Sequence, residues 1–350
     1  MPLAPERLAS TLSAFAADVL DGLSAAPRAV PPKWLYDADG SRLFDAITRL
    51  DAYYPTRTER AILTDHAAEM AVAVGPGAVL IEYGSGSSDK TRVLLDALRS
   101  GSTRLHAPGA GAPGAGAPGA GAPGAGAPGA GASGGLAAYV PIDISPSALD
   151  AAADALRDEY PGLTVRPVVA DYTQAFDLPD VSPRERRVVF FPGSTVGNFT
   201  RAETDAFFRH VVEVVGPGGA LLIGADQRKD ARVLQTAYDD PEGVTAAFNL
   251  NLLARVNREL GGDADLGLWR HEARVFGDRV EMHLVSQAAQ TLTVCGRGFS
   301  FGPGESIHTE TSTKYGPDTL AEIAAAAGLS RARRWTDADG WFAVELYTAD

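Results

Sequence analysis

The stretch AVLIEYGSGSSDKTRVLL, Ala78 to Leu95, decides the fold. A short apolar run stops at Gly84-Ser85-Gly86 and resumes as a polar segment with apolar residues at helical spacing from Asp89 onward, which predicts strand, tight turn and helix. Four more apolar, β-rich runs follow: YVPIDIS (Tyr139–Ser145), VRPVVADY (Val165–Tyr172), RVVFFPGS (Arg187–Ser194) and ALLIGADQ (Ala220–Gln227). Between them lie helical patterns such as SALDAAADALRDEY and RAETDAFFRHVVEVV. Such alternation predicts a doubly wound, mostly parallel α/β sheet, whose ligands bind outside the carboxyl ends of the strands. The chain's end extends that sheet: DTLAEIAAAAGL reads as a helix stopped at Gly328, and RARRWTDADGWFAVELY as two strands joined at Asp339-Gly340.

Two regions break the alternation. Residues 1–57 and 229–308, the latter with the helix GVTAAFNLNLLARVNREL and an expected hairpin of VEMHLVSQ with QTLTVCG, read as a second, smaller α+β unit placed over the crevice. The sheet domain is then expected from 58–228 and 309–350. Ala107 to Gly131 is five copies of APGAG. Proline every fifth position blocks a regular helix and no side chain there can build a core, so 107–135 is expected to be a disordered insertion away from the ligand side.

A formal charge of −13 argues against nucleic acid or anionic lipid as partner. The lone Cys295 cannot close an internal disulfide, and no ligand spacing suggests a metal. The amino terminus carries Glu6, Arg7 and Asp18 where a signal core would be apolar, so a cytoplasmic protein acting on a small molecule is expected, as a monomer.

Gly84 and Gly86 lack the third glycine of a dinucleotide fingerprint, since Asp89 stands in its place. That glycine serves packing around a pyrophosphate, which S-adenosylmethionine does not have. Asp143, ending the second strand, is placed to accept from ribose hydroxyls. Asp171 and Tyr172, ending the third, are placed for an adenine edge and face. These residues favour S-adenosylmethionine; they leave NAD open, and with it a plain turn at the glycines, a helix cap at Asp143 and ordinary packing at Tyr172.

The runs PPKWLYDADGSRLFDAITRLDAYYPTRTER (Pro31–Arg60), GSTVGNFT, AYDDPEGVTAAFNLNLLARVNREL and ESIHTETSTKY closely resemble the histidine Nα-methyltransferases of ergothioneine biosynthesis. The resemblance covers nearly the whole chain outside the APGAG tract, and YYPTRTE with GSTVGN carries most of its specificity. It implies a Rossmann-like methyltransferase fold with a substrate-binding domain, and three methyl transfers from S-adenosylmethionine to the α-amine of L-histidine, giving hercynine. By the same resemblance Gly84, Gly86, Lys90, Asp143, Asp171 and Tyr172 form the cofactor set. Tyr54, Gly193, Asn198 and Tyr238 surround the amino acid's amine and carboxylate, and Glu310 with Ser312 reads the imidazole beside Met282. Two departures are visible: Tyr83 replaces the leucine expected in ELGSG, and Ala170-Asp171-Tyr172 replaces Gly-Asp-Phe. If the segment is extended, Glu310 and Ser312 share one face, since strand side chains alternate. Methylation of another amino acid such as tryptophan, or a non-catalytic S-adenosylmethionine-binding module, are the alternatives.

Overall fold

The fold is that of a computed structural model, which describes residues 5–85, 88–105, 135–144, 146–174, 176–179, 182 and 185–350. Gly86 and the APGAG tract lie outside them. From the amino terminus run α1 (Pro5–Ser24), α2 (Ala38–Ile47) and α3 (Tyr54–Val74), then β1 (Val79–Tyr83), α4 (Asp89–Leu105), β2 (Ala138–Asp143), α5 (Pro146–Glu159), β3 (Val168–Val169) and β4 (Arg187–Phe191). After α6 (Arg201–Val215) and β5 (Ala220–Asp226) come α7 (Ala231–Tyr238) and α8 (Val244–Leu260). Next are β6 (Trp269–Phe276), β7 (Arg279–Ser286), β8 (Gln290–Val294), β9 (Arg297–Phe301) and β10 (Ser306–Thr313), and finally α9 (Thr319–Ala326), β11 (Leu329–Thr336) and β12 (Phe342–Ala349).

Seven strands form one sheet in the order β11-β12-β5-β4-β1-β2-β3, with β1 to β5 parallel and β12 antiparallel to both neighbours. The expected α/β class and the two closing strands are therefore present. The chain leaves β1 toward β2 on one side and returns to β4 on the other, so the switch of direction lies between β1 and β4. Gly84, Asp143, Gly193 and Asp226 all stand at or just past the carboxyl ends of these strands, where a parallel sheet opens a crevice. Alternation sends Ile81, Phe191 and Ile223 to one face, against α6 and α9, and Leu80, Val188 and Leu222 to the other, against α3, α4 and α5. Local signals agree: Thr200 and Glu203 close a capping box at the start of α6, and Gly328 follows α9 at φ +91°.

The third strand is shorter than expected. Only Val168–Val169 joins the ladder, with an isolated bridge at Val165, because Pro167 between them has no N–H to donate. The expected hairpin is also different. β7, which holds VEMHLVSQ, lies between β6 and β10 in a three-stranded antiparallel sheet, while β8 pairs with β9. The turn Phe276-Gly277-Asp278 is tighter than the connection after Ser286, and Gly277 takes φ +60° in it, so the nearer partner of β7 precedes it in sequence.

A separate core joins the two regions that broke the alternation, uniting Phe15, Leu35 and Tyr54 with Leu234, Phe248, Trp269 and Ile307. The expected boundary at 308/309 falls inside β10, which belongs to the small sheet along its whole length. None of the described helices is long and apolar enough to cross a membrane.

Candidate active site

β10 carries Glu310 and Ser312 on one face, both buried, with Glu310 opposite Met282 of β7 across the ladder. Glu310 Oε2 is buried with no hydrogen-bond partner among the described residues. Burial pushes its carboxyl up to about 7, against the pull of the Lys314 ammonium. Tyr36, Tyr53 and Tyr238 stand close enough to Glu310 for its charge to help raise their hydroxyl pKa values, after burial itself. Their rings belong to an aromatic wall in which Tyr36 meets Phe44 at 5.4 Å and Tyr53 meets Tyr238 at 6.1 Å, edge to face.

Behind that wall lies a buried polar cluster centred on Asp226, at the end of β5. Tyr54, the first residue of α3, donates to Asp226 Oδ2 at 2.6 Å. Lys229 pairs with Asp226 Oδ1 at 2.5 Å and Lys314 with Oδ2 at 2.8 Å. Lys229 is drawn down to about 8, chiefly by burial. Lys314 also donates to Tyr238 Oη at 2.7 Å and to Ser312 Oγ at 2.8 Å, and Tyr238 Oη donates to Ser312 Oγ at 2.8 Å. Expected residues from α3, α7 and β10 are thus brought into one hydrogen-bonded unit.

A second group forms under the glycine turn. Gly193, at φ +84°, donates its N–H to the buried carboxylate of Glu59, at 2.9 Å to each oxygen, and Lys90 pairs with Glu59 at 2.5 Å. With that N–H spent, Gly193 has only its carbonyl to offer a ligand. Gly84 has φ +71°, and a side chain there would meet the ring of Tyr172 at 3.8 Å. Tyr172 stacks one face on Tyr83, centroids 5.3 Å apart and planes within 7°. Tyr83, the departure from leucine, buries its hydroxyl without a partner among the described residues. Asp143 ends β2 within electrostatic reach of Tyr172 and Glu82, whose carboxyl burial raises to about 7. Asp171 turns one oxygen inward to its own loop, accepting from the N–H and hydroxyl of Thr173. Gly86 lies outside the described residues.

Asn198 ends the short 3-10 helix Thr195–Asn198, which is pressed on β10 so closely that a side chain on Gly197 would come within 2.7 Å of the Thr313 carbonyl. A cleft of about 850 Å³ opens on the opposite face of β10, past Thr311 and Thr313. It touches the site only through Asn198 and Lys314, and neither Glu310, Tyr238 nor Gly84 lines it. The buried Glu310 carboxyl and Tyr172, beyond the third strand, both lie within electrostatic reach of Tyr36, away from that cleft. Among the described residues no group of three or more His, Cys, Asp or Glu could hold a metal ion.

Sequence reasoning missed Glu59, Asp226, Lys229 and Lys314, and the aromatic residues Tyr36, Phe44 and Tyr53. Two signals were there to find. Asp226 ends an apolar strand run as Asp143 does, and Lys314 follows Ser312 by two positions and so continues its face.

The sequence model of a family described as "Histidine-specific methyltransferase, SAM-dependent" matches residues 15–349. The histidine N-alpha-methyltransferase of Mycolicibacterium smegmatis is 40% identical over 342 residues, 96% of this chain and 95% of the relative. The ergothioneine biosynthesis protein 1 of Neurospora crassa is 28% identical over 89% of this chain, which spans 32% of that relative. Among solved structures, a S-adenosylmethionine-dependent methyltransferase from Clostridium acetobutylicum aligns over 89% of this chain and 98% of its own with TM-score 0.46 and 12% identity.

Proposed function

Because the chain belongs to the S-adenosylmethionine-dependent, histidine-specific methyltransferases, we propose a role for each residue gathered at its strand ends in methylating the α-amine of L-histidine. The enzyme transfers methyl groups from S-adenosylmethionine to histidine, the histidine-methylating step of ergothioneine biosynthesis. The observation that carries the assignment of residues is the buried, unpartnered carboxylate of Glu310 two positions from Ser312 on one strand face. Leaving such a group unpaired costs about 1–3 kcal/mol or more, so it is kept for a ligand N–H, which an imidazole supplies.

S-adenosylmethionine supplies the methyl group on its sulfonium. The residues present fit it: Gly84, with no side chain, lets a ligand approach the backbone beside Tyr172, whose aromatic ring suits adenine, and Asp143 stands at the strand end for ribose hydroxyls. Lys90, held by Glu59, lies beside Gly193, where it would help to position a bound donor and amino acid. At the amine end the available groups are acceptors. Tyr54 spends its proton on Asp226 and offers lone pairs, and Gly193 offers its carbonyl. Asn198 can turn its amide toward the carboxylate. Acceptors aimed at the amine orient its lone pair along the line of transfer. Holding the partners in such near-attack geometry supplies roughly 7–11 kcal/mol when alignment is good.

Incubating the purified protein with L-histidine and S-adenosylmethionine should give mono-, di- and trimethylhistidine by mass spectrometry. Methylated tryptophan with unmodified histidine would overturn the reading. Trimethylation to hercynine, a monomeric enzyme and a cytoplasmic location belong to the same proposal. They are checked by the mass of the final product, by light scattering and by fractionation. We also divide the chain into a catalytic unit of 54–228 and 314–350 and a substrate unit of the remainder, since α3 packs on the large sheet and β10 on the small one.

A further inference from the structure

Lys314 is buried completely, and the proposed function gives it no contact with substrate. An ammonium has three N–H donors and no acceptor. All three are consumed inside the protein, by Asp226 Oδ2 at 2.8 Å, Tyr238 Oη at 2.7 Å and Ser312 Oγ at 2.8 Å. Tyr238 then donates its own proton to Ser312 Oγ. A serine hydroxyl has two lone pairs and one proton. With both lone pairs of Ser312 filled by Lys314 and Tyr238, it can only donate. Glu310, on the same face, accepts through its carboxylate, and through its carbonyl oxygen when protonated.

We propose that Lys314 is a specificity-determining positioning residue: by filling Ser312 it converts the Glu310/Ser312 pair into one donor and one acceptor, which admits the neutral imidazole in a single tautomer. The ring nitrogen without hydrogen takes the Ser312 proton, and the ring N–H goes to Glu310. An imidazolium sets N–H against O–H at Ser312, and an indole has no ring acceptor for that proton, so both leave a buried donor unmatched. The groups that face this point are Tyr36 and Tyr53 from the connections before α2 and α3, Tyr238 from α7, Asp226 from β5 with Lys229 beside it, and Glu310 and Lys314 from β10 and its end. The inference rests on the reading that Glu310 and Ser312 hold the ring.

The test is calorimetric affinity, from pH 5 to 8, for L-histidine and for its triazole analogue, 1,2,4-triazol-3-yl-alanine, whose ring offers an N–H and a bare nitrogen but stays neutral over this range. Protonation of Glu310 and of the α-amine affects both ligands, so the ratio of dissociation constants isolates the charge on the ring. In the wild type the ratio of histidine to triazole is expected to rise roughly tenfold per pH unit below about 6.5. In Lys314→Met, where Ser312 regains an acceptor site, the ratio is expected to stay flat. Tyr238→Phe, which also frees a lone pair on Ser312, should flatten it too and serves if the Met variant fails to fold. A flat ratio in the wild type, or the wild-type slope in the variants, overturns the inference. Ser312→Ala and Glu310→Gln separate this from the underlying reading: if neither weakens histidine, the ring is held elsewhere and both fall; if both weaken it while Lys314→Met keeps the slope, only the role of Lys314 falls.

Discussion

Glu310 is the residue at which the proposed function opposes stability. Its carboxyl titrates near 7 in the fold against an ordinary 4.5, so the folded state binds a proton that the unfolded chain has released between those values. The stability this group contributes is full below about 4.5 and is lost as pH rises through 7. Glu310→Gln carries no charge to bury and should therefore be the more stable protein at pH 8, by roughly 2 kcal/mol, with the gap closing toward pH 5. Melting temperatures at the two pH values check this, and an equal gap at both would show that the carboxyl ionises as it does in water. Glu310→Ala should raise KM for histidine with little change in affinity for S-adenosylmethionine. Asp143→Ala should do the converse, weakening S-adenosylmethionine roughly tenfold to a hundredfold through a lost charged hydrogen bond. Titration calorimetry with each ligand separates the two, and equal losses for both ligands would contradict the assignments. The sequence exposed Glu310 only through a family resemblance, because one carboxylate in a Thr/Ser-rich run looks like a solvated strand edge until its burial is known.

At the scale of elements, β10 links the two cores: one face presents Glu310 and Ser312, and the end of the strand supports the turn that carries Asn198. Gly197 is where they touch. Gly197→Ala would drive a methyl group into the Thr313 carbonyl, 2.7 Å away, and should cost about 1–3 kcal/mol of stability while displacing Asn198. Activity should fall several-fold even well below the melting temperature. Unchanged kinetics with a lowered melting point would mean that the turn carries no substrate contact. The expected pairing of β7 with β8 failed for a reason local to the connections, since strand signals do not name their partners. Proximity through the Gly277 turn gave β7 to β6, and its other edge then took β10, which arrives from beyond the β8–β9 hairpin.

Over the whole molecule, the large sheet supplies the crevice proposed for the donor, and a second core, assembled from the segment up to Tyr54 and the segment from α7 to β10, supplies the strand proposed to hold the ring. The APGAG tract enters between α4 and β2, so it joins the chain at the amino-terminal end of β2, opposite the crevice. Deleting 107–131 should leave kcat/KM for histidine within about twofold, within the few tenths of a kcal/mol typical of changes remote from a site; a larger drop in a steady-state assay would tie the tract to catalysis. Periodicity and glycine placement determined the strand–helix alternation, the seven-stranded sheet and the end of the sheet at which its crevice opens, because those follow from local geometry that each short segment carries in itself. Only the tertiary structure decided that Asp226, Lys229, Lys314, Tyr54 and Tyr238 form one buried cluster and that Glu310 lacks a partner inside it. Hydrogen-bond satisfaction is a property of groups brought together from distant parts of the chain, and desolvation sets its value only once the core has closed around them.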